Sequence, residues 1–279
     1  MKHPGLIALA AVAASCATAP APGGGVKLYA MNCGGFEMKN TGMFSPNHEY
    51  DGKPGKLSNP CFLIRHPKGD LVWDAGIPPA LATPKDALAT LVTRVIRDKT
   101  MPEQLALLGL KTSDIEFFSL SHSHYDHVGE ANLYAGSTWI VDAAERAWMF
   151  RPDARKAGAF ATYSALEMAT TQTIETGADY DVFGDGSVVL IPAHGHTPGH
   201  RAMLVKLANA GAVLIAGDMW HLADAQKLRT VPGGNTDKPE TLRSMDKVEE
   251  LALANKARLV RQHVPEDFAA LPAFPAGLD

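Results

Sequence analysis

Short apolar runs alternate with polar, glycine-rich segments along most of the chain. Residues 26–31 and 61–74 are strand-like, with a hairpin turn at 67–70, and a loop rich in glycine, asparagine and proline separates them at 34–60. The compact apolar run 115–120 also predicts a strand. Further strands are predicted at 138–141, 187–191, 201–206, 212–216 and 258–262.

Helical patterns lie between these strands. A start signal at Thr83-Pro84 precedes apolar residues at helical spacing, which predict an amphipathic helix carrying Leu88, Leu91, Val92, Val95 and Ile96. Thr100 and Glu103 have the spacing of a capping box before a second, shorter helix, and a polar helix is expected near 239–255. Strands that alternate with helices imply sheets covered by helices, so the fold class is α/β or α+β.

Composition limits the domain count and the partners. The chain has 279 residues, of which 46% are hydrophobic and 20% are charged, enough for a single domain over residues 26–279. The formal net charge is −4, and no block of Lys or Arg occurs. Binding to nucleic acid is therefore not expected. The composition leaves the oligomeric state open.

Residues 1–25 have the pattern of an export signal followed by a flexible tether. A positive start at Lys2 precedes a short apolar run, which is too short to span a bilayer. The segment ending at Cys16 resembles a bacterial lipoprotein cleavage site, so Cys16 is a candidate lipid anchor. Ordinary signal-peptide cleavage without lipid is the alternative. Either way, we expect an exported protein, periplasmic or anchored to a membrane.

The chain contains three cysteines, and Cys33 and Cys61 remain when Cys16 is lipidated or removed. An oxidising compartment permits a disulfide between them. Two buried free thiols are the favoured expectation, because a large core does not need a covalent link.

Histidines crowd the end of the predicted strand at 115–120. His122 and His124 are two residues apart, so their side chains leave the strand on the same side and can share one metal ion. Asp126 and His127 follow where the chain turns, which can bring them to a second ion nearby. The His-x-His-x-Asp-His spacing is rare enough by chance to make a two-metal site the natural interpretation.

Three more candidate ligands follow apolar runs further along the chain, namely His196, Asp218 and His263. Five His and two Asp form a nitrogen and oxygen donor set without thiolate, which suits Zn²⁺ and also accommodates Mn, Fe or Co. A carboxylate can bridge two ions about 3.5–4 Å apart, and Asp218 is the best candidate for that role.

These motifs resemble the metallo-β-lactamase superfamily, and within it the N-acyl-homoserine lactonase branch, whose activity quenches quorum signals. The resemblance covers most of the chain beyond residue 26 and rests on the segment Asn59 to Gly76, the His122–His127 motif, His196-Thr-Pro-Gly-His200, Gly217-Asp218 and His263. It implies a fold of class α+β, an αββα sandwich in which two mixed sheets pack face to face with helices on both outer faces. It also implies how the ligands divide. His122, His124 and His196 bind one ion, Asp126, His127 and His263 bind the other, and Asp218 lies between them.

Five other residues have weaker expectations. Asp74 matches a buried aspartate of the family that orients a metal ligand, with a turn cap as the alternative. His200 is a candidate for a similar supporting role, whereas His194 is expected to be structural. The lactonase branch commonly has a Tyr three residues after the bridging Asp, but here that residue is His221. His221 and Trp220 either line the substrate pocket or belong to the core.

The resemblance predicts a hydrolase in which a hydroxide held between two metals attacks a lactone or ester carbonyl. Asp126 would position that hydroxide and pass its proton to the leaving oxygen, which makes it the candidate catalytic residue. Hydrolysis of a β-lactam, of a thioester of the glyoxalase II kind or of a phosphodiester uses the same metal site and stays open. The di-iron redox relatives have Glu where this chain has His124. A non-catalytic metal-binding module is the alternative from a different class.

Overall fold

The structure is a computed structural model that describes residues 25–82 and 91–279. Within these residues, strands form a seven-stranded sheet of order β4-β1-β2-β3-β5-β6-β7 and a five-stranded sheet of order β12-β11-β10-β9-β8. The strands of the first sheet are β1 (Lys27–Met38), β2 (Gly55–His66), β3 (Gly69–Trp73), β4 (Val92–Ile96), β5 (Phe117–Ser119), β6 (Thr138–Asp142) and β7 (Thr171–Ile174). Those of the second are β8 (Tyr180–Asp181), β9 (Val188–Pro192), β10 (Arg201–Leu207), β11 (Gly211–Ile215) and β12 (Arg258–Val260).

Both sheets are mixed, as the resemblance implied. In the first sheet β1 pairs antiparallel with β2 and β4, β2 pairs antiparallel with β3, and β3, β5, β6 and β7 run parallel. In the second sheet β8 to β11 are antiparallel, and β12 is parallel to β11. The strands β9, β11 and β12 therefore point in one direction.

Alternating side chains divide the apolar residues between three layers. On β3, Leu71 and Trp73 belong to the core between the sheets, whereas Val72 faces the opposite way. On β10, Met203 contributes to the same central core and Leu204 to the outer face of the second sheet. This period of two is the pattern that pleated strands require when both faces of a sheet are covered.

Helices cover both outer faces. They are α1 (Met101–Ala106), α2 (Ala143–Met149), α3 (Phe160–Tyr163), α4 (Ala225–Leu228), α5 (Lys238–Ala254) and α6 (Pro265–Ala269). Met101 and Met149 pack on the outer face of the first sheet, and Met245 of α5 packs on that of the second. The αββα sandwich is confirmed. Short 3₁₀ turns occur at Gly42–Phe44, Pro79–Ala82, Thr112–Asp114, Ala131–Tyr134, Ala154–Lys156, Ser164–Met168 and Gly217–Met219. No helix among the described residues is long and apolar enough to cross a membrane.

The prediction of a helix beginning near Thr83 is wrong for Val92–Ile96. Val92–Ile96 forms β4, an edge strand paired with β1, while residues 83–90 lie outside the described residues. Val92 and Val95 are three apart, a spacing that also fits a helix, but β-branched residues favour the pleated strand and can pair with the edge of β1.

The loop predicted at 34–60 is shorter in the structure than expected, because β1 continues through a bulge to Met38. The capping box at Thr100 and Glu103 is confirmed at the start of α1.

The expectation of two free thiols is wrong. Cys33 of β1 and Cys61 of β2 form a disulfide, with their Cα atoms 5.5 Å apart. The pairing of these strands shifts register between Asn32 and Gly35, and both cysteines are fully buried beside this irregularity. The link therefore joins two adjacent strands beside the point where their hydrogen-bond ladder is interrupted.

A buried ion pair connects the two sheets. Arg201, the first residue of β10, donates from its Nη2 to the Asp142 carboxylate at 2.6 Å, and both side chains are buried. Asp142 ends β6 and also caps α2 by accepting from the Ala144 N–H. Burial opposes the charged carboxylate, but hydrogen bonds from His194 and Thr176 and the charge of Arg201 together lower the pKa of Asp142 to about 2.

The lowered pKa predicts a pH-dependent contribution to stability. Because the folded state favours the ionised carboxylate, this contribution is complete above about pH 4 and is lost as the pH falls through about 2. We expect Asp142→Asn to lower the free energy of unfolding near neutral pH by about 3 kcal/mol, since it leaves Arg201 buried without its counter-charge. The difference from the native protein should shrink in acid. Urea unfolding across pH measures it, with exposed Asp153→Asn as the control. Equal stabilities at neutral pH would contradict this assignment.

Candidate metal centre

The predicted ligands follow the carboxyl ends of four strands. His122 to His127 follow β5, and His196 lies in the loop after β9. Asp218 follows β11, and His263 follows β12. The strands β9, β11 and β12 run in one direction, so their carboxyl ends lie at one edge of the second sheet, and the loop after β5 of the first sheet meets them there. All seven residues that the sequence singled out lie together there.

Four donor atoms form a first pocket, defined here as His122 Nε2, His124 Nδ1, His196 Nε2 and Asp218 Oδ2. His124 Nδ1 lies 2.9 Å from both other histidine nitrogens, which are 3.2 Å from each other. Asp218 Oδ2 is 3.5 Å from His122 Nε2 and 3.3 Å from His196 Nε2. A tetrahedral zinc ion with bonds of 2.0–2.1 Å separates its ligands by about 3.3 Å, so the pocket has the spacing of such a site.

A second pocket consists of Asp126 Oδ2, His127 Nε2, His263 Nε2 and the other oxygen of Asp218, Oδ1. This oxygen is 3.1 Å from His127 Nε2 and 3.0 Å from His263 Nε2. Asp126 Oδ2 is more loosely placed, at 4.0 Å from His127 Nε2 and 3.7 Å from His263 Nε2. Asp218 thus directs one oxygen into each pocket, which is the arrangement of a bridging carboxylate.

The chemistry of the donors also fits divalent metal ions. His127 Nε2 and Asp218 Oδ1 are buried and have no hydrogen-bond partner among the described residues. Buried polar atoms rarely lack a partner, and a metal ion would satisfy both. In the first pocket, burial lowers the pKa of His122 and of His124, which favours the neutral imidazoles that bind metals. In the second, burial opposes charge, but nearby carboxylates, Asp218 foremost, raise the pKa of His127 and of His263.

The outer nitrogen of most of these histidines is anchored. His263 Nδ1 donates to the Ser58 carbonyl at 2.8 Å, and His196 Nδ1 donates to the Asn235 side-chain oxygen at 2.9 Å. His127 Nδ1 donates to Asp74 Oδ2 at 2.9 Å. Each bond fixes the tautomer, so that the lone pair of Nε2 faces the pocket, as is usual for metal-binding histidines.

Asp74 connects two of the four ligand-bearing loops. Besides His127, its carboxylate accepts from the backbone and hydroxyl of Ser121, at 2.6 and 2.9 Å, and from Gln262 Nε2 at 2.8 Å. Ser121 and Gln262 directly precede His122 and His263. The carboxylate bonds to other segments rather than to its own turn, so the turn-cap alternative is wrong and the geometry is that of a residue orienting ligands.

His200 holds the backbone of Asp218, the residue with the bridging carboxylate. Its Nδ1 donates to the Ala193 carbonyl at 2.8 Å, and its Nε2 accepts from the Asp218 backbone N–H at 3.0 Å. Gly217 lies against this ring with φ +57°, and a Cβ there would meet His200 Nε2 at 2.4 Å. A glycine is thus required next to the bridge both for its backbone conformation and for space. His194 points away from the pockets, toward Asp142 at 3.3 Å, as a structural residue would.

The two pocket candidates differ. Trp220 is fully buried among the apolar residues outside the second sheet, so its assignment to the substrate pocket is wrong. His221 does lie at the centre, with Nε2 3.2 Å from Asp218 Oδ2 and its ring stacked between Phe44 and His263. Burial lowers the pKa of His221 to about 4. Trp220, directly after the 3₁₀ turn, has extended backbone dihedrals, and neighbouring side chains on extended backbone point to opposite sides, so only one of the pair reaches the centre.

Comparison with known proteins agrees with this geometry. The family description "Metallo-beta-lactamase superfamily" matches residues 54–263, which include all seven candidate ligands. The chain belongs to the metallo-beta-lactamase superfamily.

Curated relatives cover nearly the whole chain. The N-acyl homoserine lactonase AttM of Azorhizobium caulinodans is 28% identical over 264 residues, 91% of this chain and 99% of that protein. The AttM protein of Agrobacterium fabrum is 29% identical over 260 residues, 90% of this chain and 97% of that one.

Solved structures share the fold. A quorum-quenching N-acyl homoserine lactone hydrolase superposes with a TM-score of 0.75 at 23% identity, covering 90% of this chain and 98% of that one. AidC, a dizinc quorum-quenching lactonase, superposes with a TM-score of 0.65 at 16% identity, covering 90% of this chain and 89% of its own. These similarities establish the metallo-beta-lactamase fold.

Several supporting residues of this superfamily member were missed by sequence reasoning. Ser121 and Gln262 adjoin predicted ligands, and their position in the sequence is the signal that points to them. Asn59 is buried in β2 and donates its side-chain amide to the Asp126 carbonyl, which holds the turn that carries Asp126 and His127. No spacing rule reveals this contact, because 67 residues separate the two partners.

Gly217 gives a direct test of the support behind Asp218. We expect Gly217→Ala to displace His200, to weaken metal retention by about 10–100-fold and to reduce any metal-dependent activity. Gly211→Ala is the matched control, since Gly211 also has positive φ, at +77°, but a Cβ there would meet no atom within 4 Å. Both variants bear a similar backbone cost of about 1 kcal/mol. Equal metal contents, measured by elemental analysis after dialysis, would argue against the proposed contact.

Proposed function

We propose that this protein is a two-metal hydrolase that opens N-acyl homoserine lactones, with zinc as the expected metal. The observation that supports this most strongly is the carboxylate of Asp218, which places one oxygen in each of two adjacent donor sets. A structural zinc site needs only about four closed ligands, whereas two sets with a shared oxygen suit a pair of ions acting on one substrate.

The substrate class follows from similarity over the full length. The relatives named N-acyl homoserine lactonase align with about nine-tenths of this chain and with nearly all of their own length. A cavity of about 440 Å³ adjoins His221, with Thr41, Tyr50 and Lys53 in its walls. This volume lies within the range of small-molecule pockets.

Lactone opening adds one water across the ring. A C–O bond forms at the carbonyl carbon, the ring C–O bond breaks, and the ring oxygen must gain a proton. Two divalent ions, when bound, supply an acidified water and polarise the carbonyl. Asp126 is suited to the proton transfer, because its carboxylate lies at the edge of the second pocket and is the most loosely placed of the donors.

A substrate panel tests this proposal. We expect zinc-loaded protein to hydrolyse acyl-homoserine lactones in preference to a simple ester, a β-lactam, a thioester and a phosphodiester. Asp126→Asn should lower kcat by about 10²–10⁴-fold, since it removes the proton carrier. His124→Ala should abolish turnover by removing a donor of the first pocket. The measurements are initial rates and metal content for each variant.

Exposed Asp153→Asn is the matched control for Asp126→Asn and should retain native kcat. Preferential turnover of the β-lactam or the thioester would overturn the lactone assignment. Absence of bound metal in protein purified with ample zinc would overturn the two-metal mechanism itself.

We also propose that the protein is exported, with Cys16 as the lipid anchor. Residues 1–24 lie outside the described residues, so the support comes from the leader pattern and from the disulfide between Cys33 and Cys61. Disulfides persist mainly in oxidising compartments. Labelling with radioactive palmitate should mark the native protein but not Cys16→Ser. A soluble periplasmic protein without label would indicate ordinary cleavage, and a cytoplasmic protein would contradict export.

A further inference from the structure

Glu145 is a buried carboxylate directly behind the first pocket. It lies in the first turn of α2 and is only 1% exposed. Four donors reach it. The Ser123 N–H and hydroxyl donate to Oε1 at 2.8 and 2.6 Å, and the Thr197 hydroxyl and Gly199 N–H donate to Oε2 at 2.7 and 3.0 Å. Each oxygen of the carboxylate thus accepts two hydrogen bonds.

The two oxygens hold two different ligand loops. Ser123 stands between His122 and His124, and Thr197 directly follows His196. Three of the four residues of the first pocket, His122, His124 and His196, are therefore each adjacent in sequence to a residue that is hydrogen-bonded to Glu145. These loops follow different strands in different sheets, and among the described residues one backbone hydrogen bond joins their ends, from the Arg201 N–H to the Ser121 carbonyl at 2.9 Å. A single carboxylate spans the gap between them.

The loop that carries His196 lies so close to the start of α2 that a side chain would not fit at Gly199. A Cβ on Gly199 would meet Glu145 N at 2.4 Å and Glu145 Cβ at 2.6 Å. The loop that carries His196 therefore packs backbone to backbone against the start of α2. Asp142 fixes that start as its N-cap, so the helix provides a rigid support for both loops.

Asp74 is a second buried carboxylate that is hydrogen-bonded to ligand-bearing loops. It binds the segments of His122, His127 and His263, whereas Glu145 binds those of His122, His124 and His196. Burying a carboxylate is costly, and neutral side chains would fill the same space at lower cost. Each buried carboxylate instead collects donors from two ligand loops, and Asp74 bonds beside ligands of both pockets whereas Glu145 bonds beside those of the first.

We propose that Glu145 is a positioning residue that holds the three histidines of the first pocket at metal-ligand spacing. The inference rests on the metal-binding part of the proposed function and not on the identity of the substrate.

Glu145→Gln isolates this role. One oxygen becomes an NH₂ group, which meets a backbone N–H of either Ser123 or Gly199 and repels it. We expect zinc affinity to fall by about 10–100-fold in the first pocket and to stay native in the second. After equilibration with a zinc-buffering chelator, native protein should hold two ions per chain and Glu145→Gln one. Anomalous scattering should place the remaining ion among Asp126, His127 and His263.

Two further variants separate positioning from general stability. Glu130→Gln is the matched control, because Glu130 is also a buried glutamate and bonds Arg97 and the Met101 N–H away from the pockets. It should lower stability in urea yet retain both ions. Asp74→Asn should weaken both pockets, because Asp74 holds Ser121 beside His122 as well as His127 and Gln262. Raising free zinc about 100-fold should restore the missing ion in Glu145→Gln.

Retention of both ions with native affinity in Glu145→Gln would overturn the inference, as would equal loss from both pockets. Should the Gln variant fail to fold, Thr197→Val removes only the donor beside His196, and selective weakening of the first pocket is again the expected result. If native protein binds no zinc, the proposed function fails instead, so the two failures are distinguishable.

Discussion

The centre depends on one shared carboxylate. Asp218 is buried, and burial alone would favour its neutral form. The histidines around it, His263 and His127 foremost, nevertheless hold its pKa well below the ordinary value. A buried charge persists only when it is surrounded by compensating groups. His200 accepts a hydrogen bond from the backbone of Asp218, and the stacked ring of His221 lies 3.2 Å from its carboxylate, so both side chains help to fix its position.

The sheets bring the ligand loops to one edge, and buried polar contacts fix the positions of the loops relative to each other. The ends of four strands bring four loops to one edge, but a strand end alone does not fix the path of the loop that follows it. Asp74 and Glu145 remove this freedom by collecting donors from different loops. Hydrogen bonds to charged groups are worth about 1.5–3 kcal/mol each, enough to hold loops that have little apolar surface of their own.

Much of this could be predicted from sequence, for a physical reason. The His122 to His127 motif is local, so its spacing reveals its chemistry, and alternating apolar residues reveal most of the strands. The failures are non-local. Val92 and Val95 fit a helix or a strand until the edge of β1 is known, and Trp220 differs from His221 only in the side of the chain from which it projects. The pairing of Cys33 with Cys61 and the role of Glu145 depend on which segments fold beside each other.

The departure at His221 shows where this chain differs from the branch that it resembles. The lactonase branch commonly has a phenol at this position, whereas the imidazole here stacks between Phe44 and His263 with its Nε2 3.2 Å from the bridging carboxylate. A ring clamped on both faces has little freedom to follow a substrate. Its place beside Asp218 therefore makes it part of the wall that supports the bridge, and its other nitrogen, Nδ1, lacks a partner among the described residues. The chain keeps the candidate metal ligands of the superfamily but changes a group that touches both the bridging carboxylate and the ring of His263, so a substitution at this position acts on the ligands themselves.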